Sequence, residues 1–551
     1  MDLVLWYRCP VLNLFLGKLV TSNRFILWLT LYFLLVLNFP LQSQLVSIIS
    51  TTESELSTGF IISLPFFFGA LFFFMFSLYT IPYVLKPVSI SLVLVSSMVT
   101  YAMYNYGTLF DYSMIQNVFE TNYGEATAYL NFPAAGAFVL LGVVPSILIA
   151  RAKISYKPIG RELLHKTVGL VTSIAVIGVI AALYFKDYSA FGRNNSYLNK
   201  MIIPVEYVAA TVKYVDRNIL SEPLKHQELG KDASVPPAAK PRITVLVLGE
   251  TARAANYQLN GYPRETNEFT APLGGVALQK VESCGTATAI SVPCMFSRMS
   301  RDNFDGRAAR YQDSVIDVFR HAGINTLWLD TDGGCKGVCD RTTTWNYTSS
   351  TEDPLCVTEF CDDLIMLQEF DRAMAEVGPG DAVITLHVNG SHGPTYFERY
   401  GPEFRKFVPD CQRSDIQNCS NEEIVNTYDN TILHTDYVVA EVIKALRDRY
   451  SEYASRVVYI SDHGESLGEN GVYLHGMPYA MAPREQIEVP WMFWVSEAAK
   501  RELRLDEACL RSRAETESYS HDNFFDTMLG LMDVQTSIYR PDLDVLRGCR
   551  G

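Results

Sequence analysis

The chain has 551 residues, of which 46 are Lys or Arg and 60 are Asp or Glu, so its formal net charge at pH 7 is −14. This length is sufficient for two or three domains. The acidic excess would repel phosphate backbones and no basic stripe runs along the sequence, which excludes nucleic-acid binding. Long apolar runs are concentrated in the first third of the chain, which indicates a membrane part followed by a different kind of domain.

Five apolar runs in the first part are long enough to cross a bilayer as helices. They are Phe25–Leu45, Gly59–Ile81, Val88–Tyr106, Ala134–Ala150 and Val168–Phe185. Basic and acidic loops alternate between them, beginning with Arg8, Lys18 and Arg24 before the first run and Glu53 and Glu55 after it. The positive-inside rule therefore predicts a cytoplasmic N-terminus and places the chain after the fifth run on the outer side.

Ten of the eleven cysteines follow the fifth run. They are Cys284, Cys294, Cys335, Cys339, Cys356, Cys361, Cys411, Cys419, Cys509 and Cys549. An even set in an oxidising compartment indicates disulfides, whose connectivity the sequence leaves open. The spacing of Cys335 and Cys339 also occurs in zinc sites, but the compartment favours a disulfide.

Two segments connect the membrane part with the rest of the chain. Tyr197–Leu220 mixes apolar and basic residues and is predicted to form one or two helices lying on the membrane, followed by a Pro- and Ala-rich linker. We expect this bridge, residues 187–241, to be the only covalent connection. The loop Asn105–Asn131 is rich in aromatic residues, which suits either an aromatic belt at the bilayer surface or a platform that guides a lipid headgroup.

From Arg242 onwards, strand-like and helix-like segments alternate. The predicted strands are Ile243–Gly249, Ile324–Leu329, Ala382–Val388, Val457–Ser461 and Val489–Val495. The predicted helices are Ala289–Met299, Gln312–Ala322, Leu364–Val377, Asn430–Arg449 and Asn523–Met532. This alternation predicts an α/β domain with a mostly parallel sheet and helices on both faces.

Several predicted strands end in residues that bind metals. Glu250 follows the first strand, Asp462 and His463 follow the fourth, and His387 and His392 lie at the end of the third, with His475 shortly after Asp462. The carboxyl ends of parallel strands form the ligand crevice of an open α/β sheet. Because carboxylates and imidazoles are suitable zinc ligands, the sequence favours metal-assisted chemistry on an anionic substrate.

The segment Val281–Pro293 supplies a candidate nucleophile. It places Thr286, Thr288 and Ser291 in a turn of small residues before a predicted helix. Small residues allow close backbone approach, and a helix N-terminus attracts anions. A hydroxyl group there is well placed to accept a phosphoryl group if its pKa is lowered, although an ordinary N-cap would look the same.

These motifs together resemble the lipid A phosphoethanolamine transferases. The resemblance rests on GETARAANYQLNGYPRETNEFT, SCGTATAISVPCMFS, CKGVCDR, NGSHGPTY and SDHGESLGENGVYLHG after five spans, and the second part resembles the alkaline phosphatase and sulfatase superfamily. It implies a transmembrane domain of five helices (1–186), interfacial helices and a linker (187–241), and a periplasmic catalytic α/β domain (242–551). It further implies a monomer in the inner membrane of a Gram-negative bacterium.

The resemblance also implies roles for individual residues. Thr288 corresponds to the nucleophile, and Zn²⁺ would be bound by Glu250, Asp462 and His463 together with the Thr288 hydroxyl. His392 and His475 correspond to additional catalytic histidines associated with substrate or with a second zinc. The substrate-binding set comprises Thr286, Asp332, Lys336, His387 and Glu465. Asp332 departs from some relatives, in which an Asn can stand at this position.

The activity implied is transfer of phosphoethanolamine from phosphatidylethanolamine to a lipid A phosphate. The reaction would proceed through a phospho-threonine intermediate with release of diacylglycerol, and the product would confer resistance to polymyxin and other cationic peptides. One alternative is another membrane phosphotransferase or phosphodiesterase of the superfamily, acting on a glycerol-phosphate or core-sugar substrate. A second alternative is a receptor that binds a lipid without catalysis.

Overall fold

The computed structural model of the chain describes residues 19–51, 57–121, 123–348, 350–356 and 360–551. The chain divides into two compact units, Met1–Asp111 with Leu130–Val212, and Tyr112–Tyr129 with Lys213–Gly551. Arg8, Lys18, Glu53 and Glu55, on which the topology argument partly depends, lie outside the described residues. The side of the membrane on which these four residues lie therefore stays a prediction.

The bridge after the fifth span is not the only covalent connection between the two units, contrary to expectation. The loop Tyr112–Tyr129 belongs to the second unit, although its sequence lies between two spans of the first. The chain therefore passes between the units three times. Apolar patterning could not reveal this, because a loop between two spans carries no signal for the domain on which it packs.

The helices of the first unit match the five predicted spans in position. Within the described residues, four helices are long and apolar enough to cross a membrane, namely Thr58–Leu78, Leu85–Tyr106, Phe132–Arg151 and Ile159–Ser189. A bent pair, Ser22–Leu37 and Phe39–Ser50, makes a fifth span if it is counted as one. The last span continues to Asn194, with a break at Tyr184. Further helical turns occupy Ser196–Met201, Val205–Val215 and Asp216–Leu220.

The first span is not the continuous helix that the sequence predicts, because its two halves are bent by 58°. Asn38 lies at the break, where its side-chain amide donates to the carbonyl oxygen of Ile203 at 2.7 Å. Its side-chain oxygen accepts from the N–H of Ile203 at 2.9 Å. Pro40 follows and has no backbone N–H for helical bonding. The bend therefore coincides with a long-range pair of hydrogen bonds and with a proline.

The second unit is built around a seven-stranded sheet. Its strands in chain order are β1 (Arg242–Gly249), β2 (Val276–Leu278), β3 (Asn325–Asp330), β4 (Thr343–Asn346), β5 (Ala382–His387), β6 (Ala454–Ser461) and β7 (Trp491–Val495). Their order across the sheet is β2-β7-β6-β1-β5-β3-β4. Both antiparallel pairs of the sheet involve β7, and its other four pairs are parallel, so the sheet is mostly parallel, as predicted.

Helices alternate with these strands, as the sequence predicts. Those of the second unit are Tyr112–Glu120, Tyr123–Ala128, Thr288–Met295, Gly306–Arg310, Val315–His321, Ile365–Gln368, Phe370–Val377, Asn421–Asp448, Arg484–Ile487, Glu497–Leu503, Glu507–Thr516 and Phe524–Leu531. The long helix begins at Asn421, nine residues before the predicted start. Ser420 and Glu423 form a capping box there, which fixes the start in a polar stretch without apolar periodicity.

The sheet is covered on both faces. Leu246 and Leu248 of β1 belong to a core that includes residues of Val315–His321 and Phe524–Leu531. Val245 and Val247, on the other side of the same strand, are equally buried, and helix Asn421–Asp448 contacts β1 and β6. This burial leaves the strand ends as the places where polar groups can meet a ligand.

All ten cysteines after the last span are paired. The disulfides join Cys284 to Cys294, Cys335 to Cys339, Cys356 to Cys361, Cys411 to Cys419, and Cys509 to Cys549. Four of them link near neighbours, and the first one brackets the loop that carries Thr288. This agrees with the predicted disulfides and resolves the connectivity that the sequence left open.

Candidate metal centre and nucleophile

Thr288 is the first residue of helix Thr288–Met295. Its hydroxyl donates a hydrogen bond to Glu250 Oε2 at 3.0 Å and lies 3.3 Å from His463 Nε2. A side chain at Gly285 would come within 2.9 Å of Ile290, so glycine allows the tight turn before the helix. The helix therefore begins with a hydroxyl group that points at two of the predicted metal ligands.

Glu250, Asp462 and His463 converge because they follow two neighbouring strands, β1 and β6. All three are fully buried, and His463 Nε2 lies 3.4 Å from Glu250 Oε1 and 3.3 Å from Asp462 Oδ2. His463 Nδ1 lies 2.9 Å from the carbonyl oxygen of Gly464, to which it can only donate. Its Nε2 therefore carries the lone pair and faces the two carboxylates.

This arrangement fits a divalent metal. One ligand atom each from Glu250, Asp462 and His463 lies within 4.8 Å of the other two. Asp462 Oδ2 is buried and accepts no hydrogen bond from the described residues. Burial lowers the pKa of His463 to about 4, so its imidazole is neutral at pH 7, the form that binds metals. Buried acceptors that face each other are unfavourable without a cation among them.

Hydrogen bonds tie the Thr288 helix to the strand end that carries Asp462. Ser291 Oγ donates to the carbonyl oxygen of Asp462. His521 Nδ1 accepts from the N–H of Cys284 at 3.1 Å, and its Nε2 lies 3.1 Å from the carbonyl oxygen of Ser461. Burial lowers the pKa of His521 to about 4. This neutral histidine thus positions the turn before the helix through its bonds to Cys284 and Ser461.

Thr286 connects the same turn to the loop of His475. Its hydroxyl donates to the carbonyl oxygen of Met477 at 2.5 Å, and its own carbonyl accepts from the N–H of Gly476 at 2.7 Å. The Thr286 hydroxyl thus helps to fix the neighbouring loop, and its substrate-binding role stays a prediction.

The two additional histidines lie beside the centre. The ring of His475 lies 4.7 Å from that of His463 and 5.2 Å from that of His392, measured between centroids. His475 Nδ1 is 3.3 Å from Glu465 Oε2. Burial lowers the pKa of His392 well below its usual value, and burial raises the pKa of Glu465. His392, His475 and Glu465 thus form a second polar group next to the first.

Asp332 and His387 lie on the opposite side of Glu250. His387 is the last residue of β5, and its Nδ1 lies 2.9 Å from Asp330 Oδ2. Burial alone would lower the pKa of His387, but the charges of Asp330 and Asp332 outweigh it and raise the pKa to about 9. Lys336, in contrast, lies in the Cys335–Cys339 turn with a positive φ of 52° and lines a small cavity with Arg310 and Arg341.

Part of the aromatic loop packs on this unit. Helix Tyr112–Glu120 contacts helix Thr288–Met295, and the Gln116 side chain donates to the carbonyl oxygen of Ala289 at 3.2 Å. Glu120 pairs with Arg310, and the ring of Phe119 stacks on Tyr214 at 4.6 Å. Part of the loop therefore packs within the second unit, and its role as an aromatic belt or as a headgroup platform stays a prediction.

Sequence reasoning missed Asp330, which holds His387. Asp330 is the last residue of β3 and pairs in register with His387 of β5. The only signal was its place at the end of an apolar strand. The lateral register that makes it a partner of His387 is not visible in a single sequence.

The chain matches two protein families. Residues 242–534 match the sulfatase family, and residues 68–219 match the family described as phosphoethanolamine transferase EptA/EptB. The sulfatase match covers the whole central sheet and the residues around Glu250 and Thr288.

Whole-length relatives are similar to this chain. The phosphoethanolamine transferase EptA of Escherichia coli K12 is 40% identical over 472 residues, which is 84% of this chain and 86% of the relative. The phosphatidylethanolamine transferase Mcr-1 of E. coli is 36% identical over 490 residues, covering 86% and 89%. The solved lipooligosaccharide phosphoethanolamine transferase A of Neisseria meningitidis, an integral membrane protein, superposes with a TM-score of 0.93 at 37% identity, covering 97% and 99%.

Proposed function

Because the chain belongs to the phosphoethanolamine transferase EptA family, we propose that it transfers phosphoethanolamine from phosphatidylethanolamine to a phosphate of lipid A. It is an inner-membrane protein whose catalytic unit lies in the periplasm. The observation that carries the proposal is the Thr288 hydroxyl, held 3.0 Å from Glu250 Oε2 and 3.3 Å from His463 Nε2 at the start of a helix. We assign Thr288 as the nucleophile that holds the phosphoethanolamine between the two half-reactions.

In the first half-reaction, the Thr288 oxygen attacks the phosphorus of phosphatidylethanolamine. Glu250 Oε2, which accepts the hydrogen bond of the hydroxyl, is where its proton is held as the Thr288 oxygen–phosphorus bond forms. The bond between phosphorus and the diacylglycerol oxygen breaks, and the amide groups that open helix Thr288–Met295 face the charge on the phosphoryl oxygens. The products are diacylglycerol and phosphoethanolamine esterified to Thr288.

The leaving diacylglycerol oxygen needs a proton. His392 is poorly suited to supply it, because burial lowers its pKa and its imidazole is neutral at pH 7. We assign the proton transfer to His475, which is held by Glu465 and lies beside His463. In the second half-reaction a phosphate oxygen of lipid A attacks the same phosphorus, and the Thr288 oxygen leaves and takes back the proton held by Glu250. The proton of the attacking phosphate restores His475.

Glu250, Asp462 and His463 would hold the metal, and we propose Zn²⁺ because neutral imidazole and carboxylate oxygens are both zinc ligands. When bound, Zn²⁺ supplies a Lewis acid that favours the alkoxide form of Thr288 at neutral pH. His463 contributes through its fixed tautomer, since Nδ1 is occupied by Gly464 and Nε2 is directed at the site.

Transfer of phosphoethanolamine to lipid A places an ammonium group on an anionic phosphate. The lower surface charge would weaken the attraction of cationic peptides, so we propose that expression of this chain confers resistance to polymyxin. Mcr-1 and Mcr-2, both 36% identical to the chain, are phosphatidylethanolamine transferases by name.

The proposal is tested by measuring the intact mass of the full-length protein in detergent after incubation with phosphatidylethanolamine and an acid quench. We expect one phosphoethanolamine adduct in the wild type, a weaker one in Thr288→Ser, which retains a hydroxyl, and none in Thr288→Ala. Lipid A added before the quench should remove the adduct and acquire its mass.

An adduct of equal yield in Thr288→Ala would refute the assignment of the nucleophile. Free phosphoethanolamine without any modified lipid A would instead identify a phosphodiesterase. Transfer to a glycerol-phosphate or core-sugar acceptor alone would identify a different phosphotransferase of the same superfamily.

A further inference from the structure

Glu250 has potential metal ligands on both of its sides. Its strand, β1, lies between β6, which carries Asp462 and His463, and β5, which ends at His387. Beyond β5 lies β3, whose end carries Asp332. One ligand atom each from Glu250, Asp332 and His387 lies within 4.8 Å of the other two, and all three residues are buried. The reaction at Thr288 uses the first side and leaves the second without a role.

The His387 ring is oriented as a metal ligand would be. Its Nδ1 bonds to Asp330 Oδ2 at 2.9 Å. Asp330 is itself fixed, because it accepts from Trp328 Nε1 at 2.9 Å and from the N–H groups of Gly333 and Gly334 at 2.9 and 2.8 Å. Histidines that bind metals usually donate their other nitrogen to such a carboxylate, which fixes the tautomer. The nitrogen left to bind a metal is then Nε2.

His387 Nε2 faces Asp332, but the contact is not a hydrogen bond. The nitrogen lies 3.5 Å from Asp332 Oδ2, and it has no hydrogen-bond partner among the described residues. The His387 side chain is fully buried. Water therefore does not solvate this nitrogen from the surface, so it depends on the Asp332 carboxylate or on a cation that it shares with the carboxylates around it.

The loops that bring these residues together are fixed independently of any ligand. Asp363 accepts from Thr331 Oγ1 at 2.6 Å and from the N–H groups of Asn389 and Gly390, each at 2.9 Å. Gly390 has a φ of +51°, and a Cβ there would lie 2.9 Å from the carbonyl oxygen of Glu250. The ends of β3, β5 and β1 are thus locked at close range, and the three ligands are preorganised.

We propose that Glu250, Asp332 and His387 bind a second divalent cation next to the Thr288 centre, with Glu250 shared between the two. One imidazole nitrogen and two carboxylate oxygens suit Zn²⁺ or Mn²⁺. Asp332 and His387 are then metal ligands and not headgroup contacts. The inference shares Glu250 with the proposed function but does not depend on which lipid is the donor or acceptor.

The experiment measures metal content in the full-length protein in detergent. The protein is stripped with a chelator, reloaded with Mn²⁺ or Zn²⁺ and passed through a desalting column before elemental mass spectrometry. We expect two equivalents in the wild type and one in His387→Gln. With Mn²⁺, the wild type should give the electron paramagnetic resonance signal of two coupled ions, and His387→Gln that of an isolated ion.

Two further variants examine the geometry. Asp330→Asn keeps all three ligands but presents an amide to Nδ1, so the affinity for the second equivalent should fall about 10- to 100-fold while the first is unchanged. His321→Gln is the matched control, because His321 pairs with Asp313 away from these ligands, and it should keep both equivalents. Should His387→Gln fail to fold, the wild type and Asp330→Asn still decide the question.

The proposal is overturned if the wild type saturates at one equivalent, since His387 is then only an ion-pair partner of Asp330 and Asp332. It is also overturned if a second equivalent persists in His387→Gln but is lost in His392→Gln, which would place the cation near His475. Loss of the Thr288 adduct with two metals still bound would refute the proposed function and leave this inference intact.

Discussion

The two ends of the central sheet both bury charged groups, but they arrange them in opposite ways. At the amino end, Arg242 lies between Asp381, 2.9 Å away, and Glu502, and Glu502 also bonds to Arg456 at 3.0 Å. At the carboxyl end, Glu250 approaches Asp462 and His463 on one side and Asp332 and His387 on the other. Opposite charges alternate at the first end, whereas acceptors converge at the second.

This difference separates a structural site from a functional one. Charges that alternate in sign satisfy one another and need no ligand, although separating them is unfavourable. Carboxylates that converge repel one another, so we expect a bound cation to stabilise the carboxyl end. We therefore expect substitutions at the carboxyl end to abolish activity with little loss of stability, and substitutions at the amino end to do the reverse.

The largest effect is expected for Glu250→Gln at the carboxyl end. The substitution keeps the size of the side chain but removes the charge that both proposed cations need, so transfer should fall on the order of 1,000-fold or more. The rate is measured with fluorescent phosphatidylethanolamine and lipid A. The thermal unfolding midpoint of the metal-free variant should equal or exceed that of the metal-free wild type, because one repelling carboxylate is gone; a clear decrease would contradict the comparison.

Removal of the metal is the next largest perturbation. Chelation should abolish transfer and lower the midpoint of unfolding, because a ligand at 1,000 times its Kd stabilises a fold by about 4 kcal/mol. The same treatment of Glu250→Gln should shift the midpoint much less. Equal shifts in both proteins would mean that the metal lies elsewhere.

Arg242→Met at the amino end should lower stability and leave the chemistry unchanged. The substitution leaves the carboxylate of Asp381, which is 22% exposed, without its arginine. Glu502, 20% exposed, keeps only its bond to Arg456. The loss should therefore be about 2–3 kcal/mol, below the roughly 3–5 kcal/mol of a fully buried pair. The transfer rate per folded molecule should stay within about twofold, since distant sites act independently. A selective loss of transfer would show that the two ends are coupled.

The smallest loss of stability is expected for Ser420→Ala, which serves as a reference for the larger losses. Ser420→Ala removes the capping box of helix Asn421–Asp448 and should cost about 1 kcal/mol without changing transfer. This variant shows how much stability the catalytic unit can lose before its activity responds. If the transfer rate of Ser420→Ala is already reduced, a reduced rate in Arg242→Met must be judged against that reduction.

Much of the fold was predictable because buried parallel strands have continuous apolar sequences. All five predicted strands are present, with shifts that have local reasons. The last one begins at Trp491 and not at Val489, because Pro490 cannot donate to a sheet. Strands β2 and β4 were missed, since they are three and four residues long and β4, with the sequence TTWN, lacks an apolar run.

The residues of the candidate site that directly follow an apolar strand could be predicted from the sequence. Glu250 and Asp462 directly follow apolar strands, so their convergence with His463 follows from a parallel sheet. The role of Asp330 depends on its register with His387, which is a property of strand pairing and not of either segment. Likewise, the bonds of His521 to Cys284 and Ser461 connect residues that lie far apart in the chain.

The loop Tyr112–Tyr129 has a consequence for how the protein is made. Gln116 and Ala289, which share a hydrogen bond, are 173 residues apart, so the ribosome completes the loop long before its partner helix exists. The loop must wait on the periplasmic side until the catalytic unit has folded, and long-range contacts of this kind form late. A chain interrupted before Thr288 would present an undocked loop, which gives periplasmic proteases a means of recognising unfinished molecules.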